Sequence, residues 1–283
     1  LEDGLRSHGL GFNDIKQIVI THTHHDHYGL VSKIKRLCGA KVAMHKLEAG
    51  LINSTYVNPN EFIRAMEEKL RQAGLRQADM ADLEITFLWM RLQVTPESPQ
   101  VILDDGDKIS NGSFEFEVIW TPGHSPGHIC LYERKRKLLF SGDHILPDIT
   151  PNIGFQPQSR DNPLGDYINS LKSMEGLEVD LVLPGHGPVF NSLRPRIAEL
   201  LHHHEERKRI TMEAVSNGSK TAYQTAEEIP WVPDQGGVSF KDLAPWNRRL
   251  AVVETLAHLI LLMVEGKIEE IKRDGLSFYL AKD

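Results

Sequence analysis

The sequence predicts a mixed α/β domain over residues 1–192 and a helical domain over residues 193–283. Through the first domain, short apolar runs typical of strands alternate with helical segments, a pattern that indicates a sheet covered by helices. Several of the strand-like runs end in a glycine turn that carries a histidine or an aspartate. After Pro188 the pattern changes to longer, charged helices, which indicates a second structural unit.

The first elements are a short amphipathic helix at 1–9 and a strand at 15–21. We expect this strand to be buried, because Ile15 and Ile18 are among its several apolar residues. A second short strand is predicted at 41–45. A chain that reaches a buried strand so early is expected to open in the middle of a fold.

A helical segment is predicted at 56–93. Its first half carries one apolar stripe with members at i, i+4 and i+8, namely Phe62, Met66 and Leu70. A second apolar run lies at 83–92 and contains Phe87, Trp89 and Met90. These side chains either close the core or cover a binding site, and the pattern leaves both alternatives open.

Four further strands are predicted in the rest of the first domain, at 114–120, 129–133, 138–140 and 181–183. Between the last two, Asn162 can cap a helix that has Pro163 at its first position. We expect that helix to run to about Met174.

The C-terminal region begins with a long charged helix at 193–215. Helical residues at 225–229 and a helix at 246–266 follow, and a hairpin at 267–280 turns at Asp274-Gly275. Three helices and a hairpin, in that order, are typical of a winged-helix module.

Composition excludes several classes of function. The net charge of −7 argues against a general nucleic-acid binder, and residues 218–283 hold more acidic than basic side chains, which argues against DNA as a partner. Two cysteines are too few for a disulfide framework. No apolar run is long enough for a membrane helix and no signal peptide is evident, so a cytoplasmic location without membrane contact is expected.

The main chemical signal follows the strand at 15–21. Residues 21–27 read Thr-His-Thr-His-His-Asp-His and contain the pattern HxHxDH, in a chain with 14 histidines. Polar residues at the carboxyl end of a strand lie where α/β folds place their sites. So many imidazoles and a carboxylate cannot be buried cheaply without a shared partner, and a metal pair would be such a partner.

Three more strands end in a glycine turn that bears a metal-type side chain. These side chains are His124, Asp143 and His186. Imidazole and carboxylate ligands suit zinc, iron or manganese. We therefore expect two divalent metal ions, with zinc preferred and with iron or manganese as alternatives.

Over residues 1 to about 190, the sequence resembles the metallo-β-lactamase superfamily. The resemblance is carried by the HxHxDH motif and by the His, Asp and His residues that follow at the ends of later strands. The resemblance implies an αββα sandwich, with the family's first strands missing before Leu1, plus a C-terminal helical, winged-helix-like domain. It places one metal on His22, His24 and His124, and a second on Asp26, His27 and His186. Asp143 would bridge the two ions.

Two metals in such a site can share a hydroxide near neutral pH and polarise a carbonyl or phosphoryl oxygen. Asp26 could also orient the water and take its proton, so it is the candidate catalytic residue. In this fold an insertion between the first two ligand motifs lies beside the metals. We therefore assign Met66 and Trp89 to substrate contact, together with Tyr28 and His144.

The segment Pro184-Gly185-His186-Gly187-Pro188-Val189 and the later His203-His204-Glu205-Glu206-Arg207 resemble the lactamase-β-like-2 group. That group contains glyoxalase-II-like hydrolases and an endoribonuclease. Two departures from glyoxalase II argue against a glutathione thioester as the substrate. His144 stands where glyoxalase II has threonine, and no set of glutathione-binding residues is evident. Of the run at 202–204, one histidine at most is expected to reach the site, because adjacent helical residues point in different directions.

The leading hypothesis is a hydrolase that cleaves a thioester or ester of a small molecule. One alternative is an endoribonuclease acting on single-stranded RNA, for which residues 134–137 supply four positive charges in a row. Another is a non-hydrolytic iron enzyme or a binding module of the same fold. A homodimer through the C-terminal domain or the helical insertion is also left open.

Overall fold

Helices and strands alternate along the chain in the computed structural model, which describes residues 1–80, 89, 91–231 and 237–282. The named helices are α1 Glu2–Ser7, α2 His25–Tyr28, α3 Val31–Cys38, α4 Lys46–Ile52, α5 Asn60–Gln72, α6 Gln77–Met80, α7 Pro163–Met174, α8 Leu193–Ser216, α9 Ala222–Glu228 and α10 Pro245–Val264. The strands are β1 Gln17–Ile20, β2 Lys41–His45, β3 Val101–Leu103, β4 Lys108–Ser110, β5 Glu115–Trp120, β6 Ile129–Glu133, β7 Leu138–Gly142, β8 Leu181–Pro184, β9 Ile268–Arg273 and β10 Leu276–Ala281.

The strands form two sheets and a separate hairpin. The first sheet has the order β1-β2-β3 and is parallel throughout. The second has the order β4-β5-β6-β7-β8 and is antiparallel except for the β7–β8 pair. Because β7 and β8 run in the same direction, with Gly142 opposite Pro184, the residues that follow these two strands emerge at the same edge.

The layers stack as helix, sheet, sheet, helix. Ala43 and Leu103 of the first sheet pack against Val118 and Ile129 of the second. Helices α3 and α4 contribute Val31 and Ile52 to the core that covers β1 and β2. On the far side, α7, α8 and α10 cover the second sheet with Leu171, Ile197 and Leu261. The expected sandwich is therefore present.

The first strand differs from its prediction. The sequence predicts a buried strand at 15–21, but β1 covers only Gln17–Ile20, and Ile20 alone is buried. The reason is its position, because β1 pairs with β2 and with no other strand of the described residues. The expectation that family strands are missing before it stays a prediction.

The helical segment predicted at 56–93 is interrupted. A π-helical turn at Asn53–Val57 leads into α5, and a turn after α5 separates it from α6. Phe87 and Met90 of the second apolar run lie outside the described residues. The stripe of Phe62, Met66 and Leu70 is buried as predicted.

The C-terminal helices share cores with the rest of the chain. Phe62 and Leu70 of α5 join Leu256 of α10 in one apolar cluster. The order of three helices and a hairpin is as predicted, and the hairpin turns at Asp274-Gly275. That this region is a winged-helix module stays a prediction. No described helix, α10 included, is both long and apolar enough to cross a lipid bilayer.

One histidine of the run at 202–204 is buried at this junction. His204 is almost fully buried, and its Nδ1 lies 3.5 Å from Nε2 of His258 on α10. Burial lowers the pKa of His258 to about 3 and that of His204 well below its ordinary value. Both imidazoles are therefore neutral and act as packing groups between α8 and α10.

The N-cap of α7 gives a test of the fold that leaves the site untouched. Asn162 Oδ1 accepts a hydrogen bond of 3.0 Å from Gly165 N, so Asn162→Ala should lower the free energy of unfolding by about 1 kcal/mol. Ser192 occupies the same position before α8 without a side-chain cap, and Ser192→Ala should change stability by much less. Denaturant unfolding of both variants measures the difference, and equal losses would contradict the capping role.

Candidate metal centre

The turn after β1 delivers four donors to one place. His22 and His24 leave the strand before α2, which begins directly after His24 in extended backbone. The first turn of α2 then carries Asp26 and His27. Because strand and helix meet here at a short loop, side chains from a single stretch of sequence face the same space.

The other three donors come from the second sheet. His124 follows β5, Asp143 follows β7, and His186 follows β8. Gly185 is required between the last two, since a Cβ there would lie 2.3 Å from Asp143 Oδ1 and 2.8 Å from His27 Cε1. This glycine lets the backbone of the β8 turn approach the carboxylate.

Three imidazoles form the first ligand group. His24 Nδ1 lies 2.9 Å from His22 Nε2 and 3.0 Å from His124 Nε2. Tetrahedral ligands at a zinc–nitrogen distance of about 2.1 Å lie roughly 3.4 Å apart. The separation of these nitrogens is therefore close to that of ligands around one ion, as the grouping of the three side chains also indicates.

The second group combines Asp26, His27 and His186. His186 Nε2 lies 3.1 Å from His27 Nε2 and 3.2 Å from Asp26 Oδ2. This group is more open than the first, since Asp26 and His186 are exposed side chains while His22 is fully buried. One side of a second ion would consequently be accessible to a ligand from solution.

Asp143 lies between the two groups. Its Oδ1 is 3.3 Å from His27 Nε2, and its Oδ2 is 3.5 Å from His186 Nε2 and 3.7 Å from His124 Nε2. Oδ1 is buried and has no hydrogen-bond partner among the described residues. A buried carboxylate oxygen without a donor is costly, and a shared cation would satisfy it. The residues present thus fit a pair of divalent ions with Asp143 as the bridge.

The first group is electrostatically prepared to bind a metal. Burial lowers the pKa of His24 and of His124 to about 4, and it lowers the pKa of His22 well below its ordinary value. Neighbouring imidazoles add to the shift in the pKa of His22. All three rings are therefore neutral at pH 7, which is the form that coordinates a metal.

The second group behaves differently. Burial lowers the pKa of His27, but the carboxylates of Asp143 and Asp26 raise it by more, so that it ends above its ordinary value. Burial raises the pKa of Asp143, yet the surrounding imidazoles, chiefly His27, lower it by more. At a given pH, a metal on this group therefore competes with protons for His27 more strongly than a metal on the first group competes for His24 or His124.

Outer contacts orient the ligands, and none of them was among the predicted site residues. His124 Nδ1 donates to the carbonyl of Asn152 at 3.1 Å, which leaves Nε2 for the metal. His128 Nε2 accepts from the backbone N–H of Asp143 at 3.1 Å. Glu48 accepts hydrogen bonds from both ligand-bearing loops. The sequence could have pointed to only one of these three residues. His128 is a histidine that lies four residues after the predicted ligand His124, whereas nothing in the sequence marks Asn152 or Glu48.

The residues assigned to substrate contact have different positions. Met66 lines a cavity beside the ligands. Trp89 is 56% exposed and lies with its ring 6.1 Å from that of His25, outside the cavity lining. Tyr28 and His144 are fully buried and do not line the cavity. The Tyr28 hydroxyl donates to the carbonyl of Glu97 and accepts from its N–H, so it holds a loop and direct contact with substrate is not supported.

The cavity has a volume of about 350 Å³ and begins at the ligands. Its lining includes the donors His24, Asp26 and His124. Helix α5 contributes Phe62, Met66 and Leu70 to the lining, and α10 contributes Trp246, Arg249, Leu250 and Val253. The site therefore combines a polar end with a largely apolar interior, as small-molecule sites commonly do.

The sequence profile described as Metallo-beta-lactamase superfamily matches residues 1–186. The chain belongs to this superfamily. The family resemblance and the αββα fold expected from the strand-end residues are thereby confirmed. Members of the superfamily generally bind divalent metals, and the His and Asp groups of this chain are of the kind that could hold them.

Two relatives illustrate the range of the family. The acyl-coenzyme A thioesterase MBLAC2 of Bos taurus is 31% identical over 188 residues, which cover 62% of this chain and 57% of that protein. The chain thus spans little more than half the length of this relative. The probable metallo-hydrolase YqjP of Bacillus subtilis is 25% identical over 276 residues, which cover 95% of this chain and 81% of that protein.

A solved structure matches almost the whole chain. It is the metallo-beta-lactamase family protein TTHA1429 from Thermus thermophilus, with a TM-score of 0.83 and 29% identity. The match covers 99% of this chain and 84% of that one. The arrangement of the C-terminal helices therefore also occurs in another member of the family.

The pKa differences predict the order in which metals leave on acidification. Because the pKa of His27 is raised above its ordinary value while burial lowers those of His24 and His124, the second group takes up a proton first, and metal content should fall from two ions toward one before the remaining ion is lost. Because the pKa values of His24 and His124 are about 4, the remaining ion should stay until the pH approaches that value. Elemental analysis after equilibrium dialysis across pH measures this.

A variant identifies which ion leaves first. His27→Ala should hold one ion per chain at pH 7 and show only the loss near the lower pH. Release of both ions in one step from the unaltered protein would show that the two groups do not differ as described.

Proposed function

We propose that the chain is a metal-dependent hydrolase that cleaves the thioester or ester bond of a small molecule with an apolar acyl group. The observation that supports this most directly is the cavity, which places Phe62, Met66 and Val253 on its walls and the metal ligands at its end. An acyl chain would bury its methylenes against these walls, each contributing about 0.8 kcal/mol. Its carbonyl would then lie at the ligands.

Two divalent ions, for which we propose zinc, would supply an activated water and a Lewis acid for the carbonyl oxygen. Asp26 lines the cavity and is exposed, so it can accept a hydrogen bond from a water at the second group and take its proton. His24 and His124 are neutral at pH 7 because burial lowers the pKa of each to about 4, and neutral imidazoles are the form that would hold a metal.

The size of the cavity limits the acyl group. A volume of about 350 Å³ corresponds to roughly a dozen water molecules at about 30 Å³ each. An acyl chain of moderate length fits this space, and a longer one would have to leave through the opening. The leaving group could extend into solvent, since Asp26 and His186 are exposed.

The named relatives support the same reaction class. MBLAC2 bears the name of an acyl-coenzyme A thioesterase, but the match includes little more than half of it. We therefore propose, by similarity to MBLAC2, that this chain also acts on a thioester. YqjP, which matches most of the chain, bears the name of a metallo-hydrolase.

The described residues support cleavage of RNA less well than cleavage of a small-molecule thioester or ester. Of the basic run at 134–137, Arg134 pairs with Glu117, Arg136 with Glu133, and Lys137 with Glu178. These pairs neutralise much of the charge that an RNA backbone would need. The run also sits at the turn from β6 to β7, at the opposite end of β7 from Asp143.

A substrate panel tests the reaction class. Zinc-loaded protein should hydrolyse acyl-thioesters or acyl esters with kcat/KM at least on the order of a hundredfold above that for phosphodiesters. Asp143→Asn should abolish this turnover, because the neutral amide weakens the bridge between the ions. Turnover of phosphodiesters or single-stranded RNA alone, with Asp143→Asn as the inactive control, would contradict the proposal.

The wall of α5 predicts a change in chain-length preference. Met66→Ala should enlarge the cavity and raise the relative turnover of chains two methylenes longer by on the order of tenfold, at about 0.8 kcal/mol per methylene. Metal content should be unchanged. Both the substrate ranking and the melting temperature are to be measured.

Met174→Ala is the matched control. Met174 is fully buried on α7 and does not line the cavity, so its loss should cost about 2–5 kcal/mol of stability without altering the substrate ranking. If Met66→Ala likewise lowers stability and leaves the ranking unchanged, α5 only closes the core.

A further inference from the structure

Glu48 is a fully buried carboxylate on α4 that accepts four hydrogen bonds. Its Oε2 accepts from the N–H and the hydroxyl of Thr23 at 2.7 and 2.6 Å. Its Oε1 accepts from the hydroxyl of Ser125 at 2.7 Å and from the N–H of Gly127 at 2.9 Å. Each oxygen thus has two donors, and the two oxygens serve two different loops.

These loops carry the first ligand group. Thr23 lies between His22 and His24, and Ser125 directly follows His124. The two loops are far apart in sequence, so without a direct connection their relative position would depend on the sheets alone. Glu48 joins them at the residues that adjoin the ligands.

Each polar group of Thr23 takes part in a hydrogen bond. Besides the two bonds to Glu48, its carbonyl accepts a hydrogen bond of 2.5 Å from the Tyr56 hydroxyl. Neither backbone group of Thr23 is therefore left to a strand or helix ladder. The conformation of the His22-Thr23-His24 segment is set by side chains from α4 and the turn that follows it.

On the other loop, Gly127 permits close approach. A Cβ at this position would lie 2.7 Å from Glu48 N and 2.9 Å from Glu48 Cγ. The loop therefore packs directly on the first turn of α4, and its N–H reaches the carboxylate. Contact on both sides leaves the carboxylate little freedom to move.

We infer that Glu48 is a positioning residue that sets the spacing of His124 from His22 and His24 and thereby the affinity of the three-histidine group for its metal. Glutamine cannot replace it fully. Two of the four donors are backbone N–H groups, one at each oxygen, and an amide presents only one acceptor oxygen. One backbone N–H would then face the amide NH₂ and remain buried without an acceptor, which is costly.

Glu48→Gln in the full-length protein tests this with readouts that do not involve a substrate. Metal affinity is measured by competition with a chelator, and ligand geometry by the d–d absorption of the Co²⁺-substituted protein. We expect the affinity for the more tightly bound ion to fall about 10–100-fold, as for other residues that orient metal ligands. The Co²⁺ spectrum should change as well.

Glu133→Gln is the matched control. Glu133 is also almost fully buried and accepts a hydrogen bond of 2.6 Å from Arg136 N, but it lies on β6, away from the ligand loops. This variant should lose stability while retaining the affinity and the spectrum of the unaltered protein. A merely structural role for Glu48 would give the same result in both variants.

The outcome that overturns the inference is an unchanged affinity and spectrum in Glu48→Gln, whatever its melting temperature. If that variant does not fold, Ser125→Ala removes a single hydrogen bond from the same carboxylate, and it should lower the affinity severalfold. An unchanged affinity in Ser125→Ala would then overturn it. Because no substrate is used, these results are independent of the proposed thioester activity.

Discussion

The convergence of many metal-type donors at one place is the constraint on which this structure depends. Imidazole nitrogens and carboxylate oxygens converge at one edge of two sheets, with separations of about 3–4 Å. Such a cluster is tolerated only if cations share it or if the fold forces the groups together. The parallel β7–β8 pair, the glycine at 185 and the Glu48 contacts all help to bring these donors together. Much of the surrounding architecture can be understood as support for this edge.

The cluster of metal-type donors could be predicted from the sequence because its signal is local. HxHxDH follows one strand, and each of His124, Asp143 and His186 follows another, so apolar runs and donor types appear side by side in the sequence. Helix α7 is equally clear, since Asn162 and Pro163 mark its start. Local patterns of this kind do not depend on knowing which segments meet in space.

The remaining features depend on contacts between distant segments. Glu48 looks in the sequence like an ordinary surface residue of a helix, and only the approach of two loops makes it buried. Tyr28 and His144 are neighbours of predicted ligands in the sequence, but both side chains are fully buried and neither lines the cavity. Strands β3 and β4 have three residues each, too few to show a period.

The two helices that line the cavity lie outside the turns that carry the metal-type donors. Helix α5 lies between the donor-bearing turns after β1 and β5, and α10 lies beyond residue 186, where the family profile ends. Neither helix supplies a donor of the two groups, and Glu48 joins the two loops that carry the first group. Side chains on α5 and α10 can therefore change the shape of the cavity without altering a donor, so that the size of the pocket and the composition of the donor cluster can vary independently.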